Sequence, residues 1–204
     1  TSLLTYLRPG DLLLYSNPIY GGTHKFIHHV LTSFGVEILG FRAGQEREEI
    51  EKILLDSGMQ DKLKMIYVET PANPTNDLID IEMCEKIAKD FSNPAKQVMV
   101  TVDNTYMGPL WQHPLKHGAD IVLYSATKYI GGHSDVIAGA AVGNKTIIKQ
   151  IKKTRTVLGT MADPWTGWLL MRSLETLKVR MEEAARNAEK VAYYLKQHQK
   201  KKKV

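Results

Sequence analysis

The sequence contains a single cysteine and no long run of apolar residues. Cys84 cannot form a disulfide within the chain, and the residues around it predict a helix in which this thiol packs instead of reacting. No segment approaches the roughly 20 apolar residues that a membrane-spanning helix needs, and no signal-peptide pattern opens the chain. We therefore expect a cytoplasmic protein in a reducing compartment, without membrane contact.

Several common binding motifs are also missing. Residues 139–146 contain two glycines before a lysine, but their spacing differs from that of a P-loop, and Asn144 separates the second glycine from Lys145. No G-x-G-x-x-G follows the first predicted strand, so a dinucleotide-binding domain has little support. His24 and His28 lie four residues apart on a predicted helix without a third ligand, and we predict no metal site.

The net charge of +5 arises largely from one place, the terminal lysine run 200–203. We expect this run to be a solvated tail, and the rest of the chain is close to neutral. The nearly neutral charge of the chain outside the lysine run argues against a nucleic-acid partner. With 204 residues, 43% of them hydrophobic and 24% charged, the chain has the composition of one globular domain with a real core.

Short apolar runs alternate with longer stretches at helical spacing, which predicts an α/β fold with a mostly parallel sheet and flanking helices. The predicted strands span residues 12–15, 36–41, 64–69, 98–103, 121–125 and 136–142. Predicted helices span about 23–34, 46–55 and 80–91, with Asp80 as a cap. One long helix or two consecutive ones follow over about 166–197. We expect a single domain over 1–204, with core positions for the three tryptophans, Trp111, Trp165 and Trp168.

The most informative segment surrounds a lysine that follows the predicted strand 121–125. Lys128 can form a Schiff base with an aldehyde, and the flanking hydroxyls of Ser125 and Thr127 can hold a phosphate. Pyridoxal phosphate (PLP) needs both, together with an acid beside its ring nitrogen. Asp103, which ends the strand 98–103, is the candidate acid. These residues predict a PLP enzyme.

Polar or aromatic residues also follow several other predicted strands. Ligands of parallel sheets bind at the carboxyl ends of the strands, so we expect these side chains to meet at one edge. The six residues are Tyr20, Glu69, Asn73, Asp103, Ser125 and Lys128.

With these residues the chain resembles the Cys/Met-metabolism family of PLP enzymes, which includes methionine γ-lyase, cystathionine γ-lyase, cystathionine β-lyase and cystathionine γ-synthase. The matching segments are residues 19–23, 69–75, 103–105, 125–135 and 172–177, with Arg180 and Met181. Their order and spacing agree over nearly the whole chain. The resemblance implies the aspartate-aminotransferase-like fold (fold type I), of which this chain would be the PLP-binding large domain, ending in the helical segment from about residue 160.

The resemblance also implies a role for each site residue. Lys128 would hold PLP as the internal aldimine and then act as a base, Asp103 would keep the ring nitrogen protonated, and Tyr20 would stack on the ring and assist proton transfer. The other roles are phosphate binding by Ser125 and Thr127, contact of Asn73 with the phenolic oxygen, and support from Glu69 and Thr105. Purely structural roles stay open for Glu69 and Asn73, because Asn before Pro favours a turn. His133 is expected to order the loop behind Lys128.

The implied reaction is β- or γ-elimination, or γ-replacement, on cystathionine, methionine or an O-acyl-homoserine. Methionine γ-lyases usually carry a cysteine where this chain has Gly22. The implied assembly is a homodimer or homotetramer. Family members also carry an N-terminal segment and a C-terminal domain outside the matched region, so we expect an excised piece of a longer enzyme or the product of a truncated gene. The alternative function is a catalytically silent remnant that at most binds PLP or a full-length relative.

Overall fold

The computed structural model describes residues 1–198, and its centre is a six-stranded sheet. The strands are β1 (Leu12–Asn17), β2 (Glu37–Arg42), β3 (Leu63–Glu69), β4 (Met99–Asp103), β5 (Ile121–Ser125) and β6 (Gly139–Gly143). Their order is β2-β1-β3-β4-β5-β6, and the four pairings from β2 to β5 are parallel. The predicted solvated tail, 200–203, lies outside the described residues.

The central strands β1, β3 and β4 are buried on both faces, which explains why they are largely continuous apolar runs instead of alternating ones. In β3, every residue except Lys64 is buried. One apolar cluster contains Leu12, Ile66 and Val100, and the other contains Leu13, Met65 and Met99. Because successive strand residues point to opposite faces, the two clusters cover the two sides of the sheet.

Eight α-helices accompany the sheet in the described part of the chain. They are α1 (Ser2–Tyr6), α2 (Gly21–Lys25), α3 (Arg47–Asp56), α4 (Ile81–Asp90), α5 (Gly108–Trp111), α6 (Lys145–Leu158), α7 (Pro164–Leu174) and α8 (Leu177–Gln197). The predicted helix over 23–34 is a composite, because α2 continues as a π-helix over Phe26–Leu31 and a 3₁₀ turn over Thr32–Phe34. The C-terminal pattern is two consecutive helices. The predicted α/β fold with a mostly parallel sheet is confirmed.

Helix α6 was not predicted, although its sequence carries a start signal. Asn144 caps the helix, and its side-chain oxygen accepts a hydrogen bond from the Ile147 N–H at 2.9 Å. Ile147 and Ile151, four residues apart, are buried. The residue that breaks the P-loop pattern therefore has a structural role as a helix cap.

The expectation that the three tryptophans pack in the core is wrong. Trp111, Trp165 and Trp168 are each about half exposed or more. Trp165 stacks on Trp168 with ring centroids 5.0 Å apart, and the Arg172 guanidinium lies 5.9 Å from the Trp168 ring centroid. Hydrophobic character alone does not say which helix face another element covers, and the rings of Trp165 and Trp168 instead contact each other and, for Trp168, a cation.

The chain divides into two compact units. The first contains Thr1–Tyr124 and Gly139–Met161, and the second contains Ser125–Ala138 and the chain from Ala162. The first unit holds nearly all of the sheet with both apolar clusters, and the second consists of the segment around Lys128 with helices α7 and α8. Among the described residues, no helix is long and apolar enough to cross a membrane.

Candidate functional site

Two carboxylates end adjacent central strands of the first unit. Glu69 and Asp103 are paired residues in the parallel ladder between β3 and β4. The structure brings three further predicted residues to them, because Tyr20 and Asn73 contact Glu69 while Thr105 contacts Asp103. This edge of the sheet therefore holds five of the eight residues that the sequence singles out.

The buried Glu69 side chain joins two loops. Its Oε2 accepts a hydrogen bond from the Tyr20 N–H at 2.7 Å, and its Oε1 accepts one from the Asn73 N–H at 2.8 Å. Burial raises the pKa of Glu69 above its ordinary value, the two N–H donors lower it, and the negative charge of Asp103 raises it further. Both oxygens already have backbone partners, so Glu69 holds the loops in place.

The Asp103 carboxylate is fixed by three donors. Its Oδ1 accepts hydrogen bonds from the Thr105 N–H at 3.0 Å and from the Thr105 hydroxyl at 2.6 Å, while the Tyr67 hydroxyl donates to Oδ2 at 3.3 Å. Tyr67 is buried, and desolvation together with the charge of Asp103 raises its pKa well above 10. The phenol therefore stays protonated and remains a donor to Asp103.

Tyr20 immediately precedes α2 and presents its ring to solvent, with 53% of the residue exposed. The ring lies over Gly22, where an added Cβ would stand 2.5 Å from Cε1 of the tyrosine. The neighbouring Gly21 has no atom within 4 Å of an added Cβ. A glycine at position 22 is therefore what allows the ring to occupy this place.

The second unit contains Ser125, Thr127 and Lys128 in a tight turn. The Lys128 N–H donates to the Ser125 carbonyl at 3.0 Å, and the Gly132 N–H donates to the Lys128 carbonyl at 2.7 Å. The Thr127 hydroxyl accepts a hydrogen bond from the Ala138 N–H at 3.0 Å. Nδ1 of His133 lies 2.7 Å from the Gly131 carbonyl, which agrees with its expected role in ordering this loop. The exposed Lys128 side chain lines an open cleft of about 960 Å³ within this unit.

Sequence reasoning missed three residues that hold the Asp103 carboxylate or the backbone near the two acids. Tyr67 is buried in β3 and reads as an ordinary core residue of an apolar strand. The Ser16 hydroxyl accepts from the Glu69 N–H at 3.2 Å. Asn104 is fully buried, and its amide donates to the carbonyls of Gly108 and Gln112. Its position directly after Asp103, in a motif with Thr105, was the one available signal.

The two histidines with helical spacing make an aromatic contact instead of a metal site. The rings of His24 and His28 stack with centroids 4.0 Å apart, and Nε2 of His28 lies 2.8 Å from the Tyr15 hydroxyl. Burial, followed by the charges of His24 and His29, lowers the pKa of His28. Residues 1–198 contain no group of three or more His, Cys, Asp or Glu side chains able to hold a metal ion.

The residues present fit the chemical needs of PLP. A carboxylate fixed by three donors can accept a hydrogen bond from a pyridinium N–H, and an exposed primary amine can bond to an aldehyde. The exposed face of Tyr20 offers a surface for stacking.

Comparison with known proteins gives a family. The sequence profile described as Cys/Met metabolism PLP-dependent enzyme matches residues 1–204. The chain is 41% identical to an L-methionine gamma-lyase of Treponema denticola, covering 93% of this chain and 45% of that protein. It is 38% identical to a cystathionine gamma-lyase of Bacillus subtilis, covering 97% of this chain and 50% of that protein.

Solved structures agree with the sequence relatives. The fold matches metB from Corynebacterium glutamicum with a TM-score of 0.87 and 35% identity, over 98% of this chain and 50% of that one. It matches cystathionine gamma-lyase from Lactobacillus plantarum, solved with L-serine, with a TM-score of 0.87 and 33% identity, over 99% of this chain and 50% of that one. The chain spans about half the length of the curated relatives that it matches.

Proposed function

Because the chain belongs to the Cys/Met metabolism PLP-dependent enzyme family, we propose that it forms the cofactor-binding domain of an enzyme acting on sulfur-containing amino acids. The proposed reaction is β- or γ-elimination, or γ-replacement, on cystathionine, methionine or an O-acyl-homoserine. When bound, PLP supplies an electron-accepting ring that stabilises negative charge at the substrate Cα. The family's cofactor is the one that the sequence predicts.

The observation that carries the proposal is the fixed carboxylate of Asp103. Three donors hold it at the end of β4, two from Thr105 and one from Tyr67. An anionic acceptor at the ring nitrogen keeps that nitrogen protonated, which is the form that withdraws electrons most strongly. Because donors contact both of its oxygens, the Asp103 carboxylate would already be oriented when it accepts a hydrogen bond from the ring nitrogen.

Lys128 has two roles in the proposal. Its Nζ would hold the cofactor, and as a free amine it would remove the proton from the substrate Cα and return a proton to the departing group. Ser125 and Thr127 would hold the cofactor phosphate. Tyr20 would offer its ring for stacking, and Asn73 would contact the cofactor's phenolic oxygen. Glu69 acts indirectly, because it accepts hydrogen bonds from the backbone N–H groups of Tyr20 and Asn73.

The finer assignments follow from the relatives. Both a methionine gamma-lyase and a cystathionine gamma-lyase match at about the same identity, so the proposed substrate class includes both amino acids. We propose that the protein acts in the cytoplasm. We also propose that it assembles as a homodimer or homotetramer.

Turnover tests this proposal. The protein, supplied with PLP, is incubated with L-cystathionine, L-methionine or O-acetylhomoserine, and the keto acid and ammonia released are measured. Elimination predicts both products in proportion to enzyme, with loss of at least about 10³-fold on Lys128→Ala, because nucleophile and base are the same group.

The opposite outcome has a definite meaning. PLP retained by the folded protein, without keto acid from any of the three substrates and without cystathionine from O-acetylhomoserine plus L-cysteine, contradicts catalysis by this chain. It favours the alternative, a silent remnant that binds cofactor or a full-length relative. Gel filtration with a full-length relative then tests pairing.

A further inference from the structure

The turn that carries Lys128 is tied to helices α7 and α8 by one arginine. Nη1 of Arg180 donates to the Tyr129 carbonyl at 2.7 Å, and Nη2 donates more weakly to the Ile130 carbonyl at 3.4 Å. The same guanidinium donates through Nη2 to the Ser173 carbonyl at 2.8 Å and through Nε to the Thr176 hydroxyl at 3.0 Å. Arg180 therefore connects three segments of the second unit.

The chemistry of these acceptors explains why the residue is an arginine. Ser173 lies in the last turn of α7, where its carbonyl also accepts from the Thr176 N–H and hydroxyl, each at 3.3 Å, and Thr176 immediately precedes α8. The planar fork of a guanidinium can reach all of these oxygens in fixed directions, whereas a lysine ammonium is a single point of charge.

Gly132 leaves the space that the Arg180 guanidinium occupies. Its φ of +76° lies in the left-handed region, and an added Cβ would overlap the Arg180 guanidinium. The Gly132 N–H closes the turn by donating to the Lys128 carbonyl at 2.7 Å. Arg180 therefore packs against the turn on one side and bonds to its carbonyls on the other.

We propose that Arg180 is a positioning residue for Lys128, acting through the backbone of Tyr129–Gly132; this inference rests on the proposed function. The guanidinium holds the carbonyls that directly follow Lys128, and its own place is set by the ends of α7 and α8. Lys128 and Arg180 line the same cleft of about 960 Å³. Without the Arg180 guanidinium, the backbone of the turn becomes more mobile. The Lys128 amine is then less often in the geometry that allows it to bond to the cofactor aldehyde.

The test compares Arg180→Met with Arg180→Lys and with a matched arginine on the same helix. Arg186 is exposed and makes an ion pair with Glu183 at 2.5 Å, so Arg186→Met removes an arginine without touching the turn. Each protein is titrated with PLP, its visible absorbance is recorded, and the Lys128 adduct is trapped with borohydride and quantified by peptide mass. Thermal unfolding without PLP checks the folding of each variant.

We expect Arg180→Met to need roughly tenfold more PLP for half-maximal trapping and to change the visible absorbance band, with partial recovery in Arg180→Lys. Arg186→Met should behave like the wild type. If Arg180→Met does not fold, Arg180→Lys decides, since an ammonium cannot keep all the contacts of the fork. If the deciding variant binds PLP with wild-type affinity and shows the wild-type absorbance, the role of Arg180 is contradicted while the proposed function stands. Absence of any Lys128 adduct in the wild type overturns both this inference and the proposed function.

Discussion

The Glu69 side chain accepts hydrogen bonds from the backbone of two other residues. Its two oxygens hold the N–H groups of Tyr20 and Asn73, two residues that lie 49 positions before it and four after it in the chain. Hydrogen bonds to a charged acceptor contribute about 1.5–3 kcal/mol each, so this residue fixes the geometry of both loops. Its effect on the site is through the placement of other side chains.

The first prediction concerns Glu69→Gln. The amide is uncharged at every pH, so the difference in the free energy of unfolding between the wild type and Glu69→Gln should change with pH as Glu69 titrates. The pKa of Glu69 is raised in the folded protein, so the folded state binds its proton more tightly than the unfolded state does. The stability from this group is thus complete below its ordinary value of 4.5 and is lost as pH rises through the folded pKa.

Urea unfolding at several pH values from 4 upward measures this contribution. Wild-type stability should decline relative to Glu69→Gln across that window, because the glutamine does not titrate. The exposed Glu37→Gln serves as the control. A wild-type stability that instead rises relative to Glu69→Gln over the same window would show that the carboxylate is held as a favoured anion.

The second prediction concerns Gly22→Ala. The added methyl would stand 2.5 Å from the Tyr20 ring, so the ring must move. Alanine favours a helix over glycine by about 0.5–1 kcal/mol, so stability should stay equal or rise while the absorbance of bound PLP changes and keto-acid release falls. Gly21→Ala is the matched control, because nothing lies within 4 Å of its added Cβ. Identical absorbance and rates in the two variants would contradict a role of Gly22 in placing Tyr20.

At the scale of elements, helix α4 shows how a local signal fixes one helix of the first unit. Asp80 caps it by accepting from the N–H groups of Glu82 and Met83 at 2.9 and 3.1 Å. The helix then buries Cys84 and Ile87 in the core cluster shared with β3 and β4. Cap and apolar face agree, which is why the sequence predicts this helix within one residue at its start.

The third prediction is that Asp80→Ala lowers the free energy of unfolding by about 1 kcal/mol, the usual value of an N-cap side chain. Chemical denaturation measures the change, and the exposed Asp61→Ala is the control. Equal stabilities of the two variants would mean that the cap contributes nothing to the folded state.

Elements that the sequence predicts well carry two clear signals, whereas in the helix that it misses charged residues interrupt the apolar spacing. Strands β3 and β4 are largely apolar runs that end on acids, so their burial and the position of Glu69 and Asp103 at one edge of the sheet follow from the pattern, whereas their direct pairing does not. Helix α6 has a cap and an apolar spacing, but its many lysines conceal the pattern. The contact of Glu69 with Tyr20 leaves no trace in sequence, because its partner is a backbone N–H that every residue except proline carries.

At the scale of the whole molecule, the single cysteine reports on the packing of the sheet unit. Cys84 has no exposed surface, and burial, together with the charge of Asp80, raises the pKa of its thiol from 9.0 to about 12. Only the thiolate reacts with disulfide reagents, so its reactive fraction near pH 8 falls by about 10³-fold.

The fourth prediction is therefore that Cys84 in the native protein reacts with a thiol reagent at least about 10³-fold more slowly than in denaturant. Since the chain has one cysteine, the absorbance of the leaving group released by a chromogenic disulfide reagent reports on Cys84 alone. Rapid native labelling would show that the first unit opens frequently. Labelling across a denaturant series also gives the unfolding transition of that unit.

Whole-chain patterns identify this protein more firmly than any isolated residue does. Asp103, Thr105, Tyr20 and Lys128 could be selected from sequence because each follows a recognisable strand end or turn motif. The supporting residues Tyr67 and Ser16 could not, since they are ordinary members of buried strands until their partners are known. The prediction of buried tryptophans was wrong for a related reason, because composition does not show which helix faces other elements cover.

The fifth prediction tests the central claim, that Lys128 binds PLP covalently. The protein is incubated with PLP, reduced with borohydride, and analysed by intact mass and peptide mapping beside Lys128→Ala. We predict one pyridoxyl adduct, on Lys128, that disappears in the variant. A folded wild-type protein without an adduct, or with one on another lysine, would contradict the account.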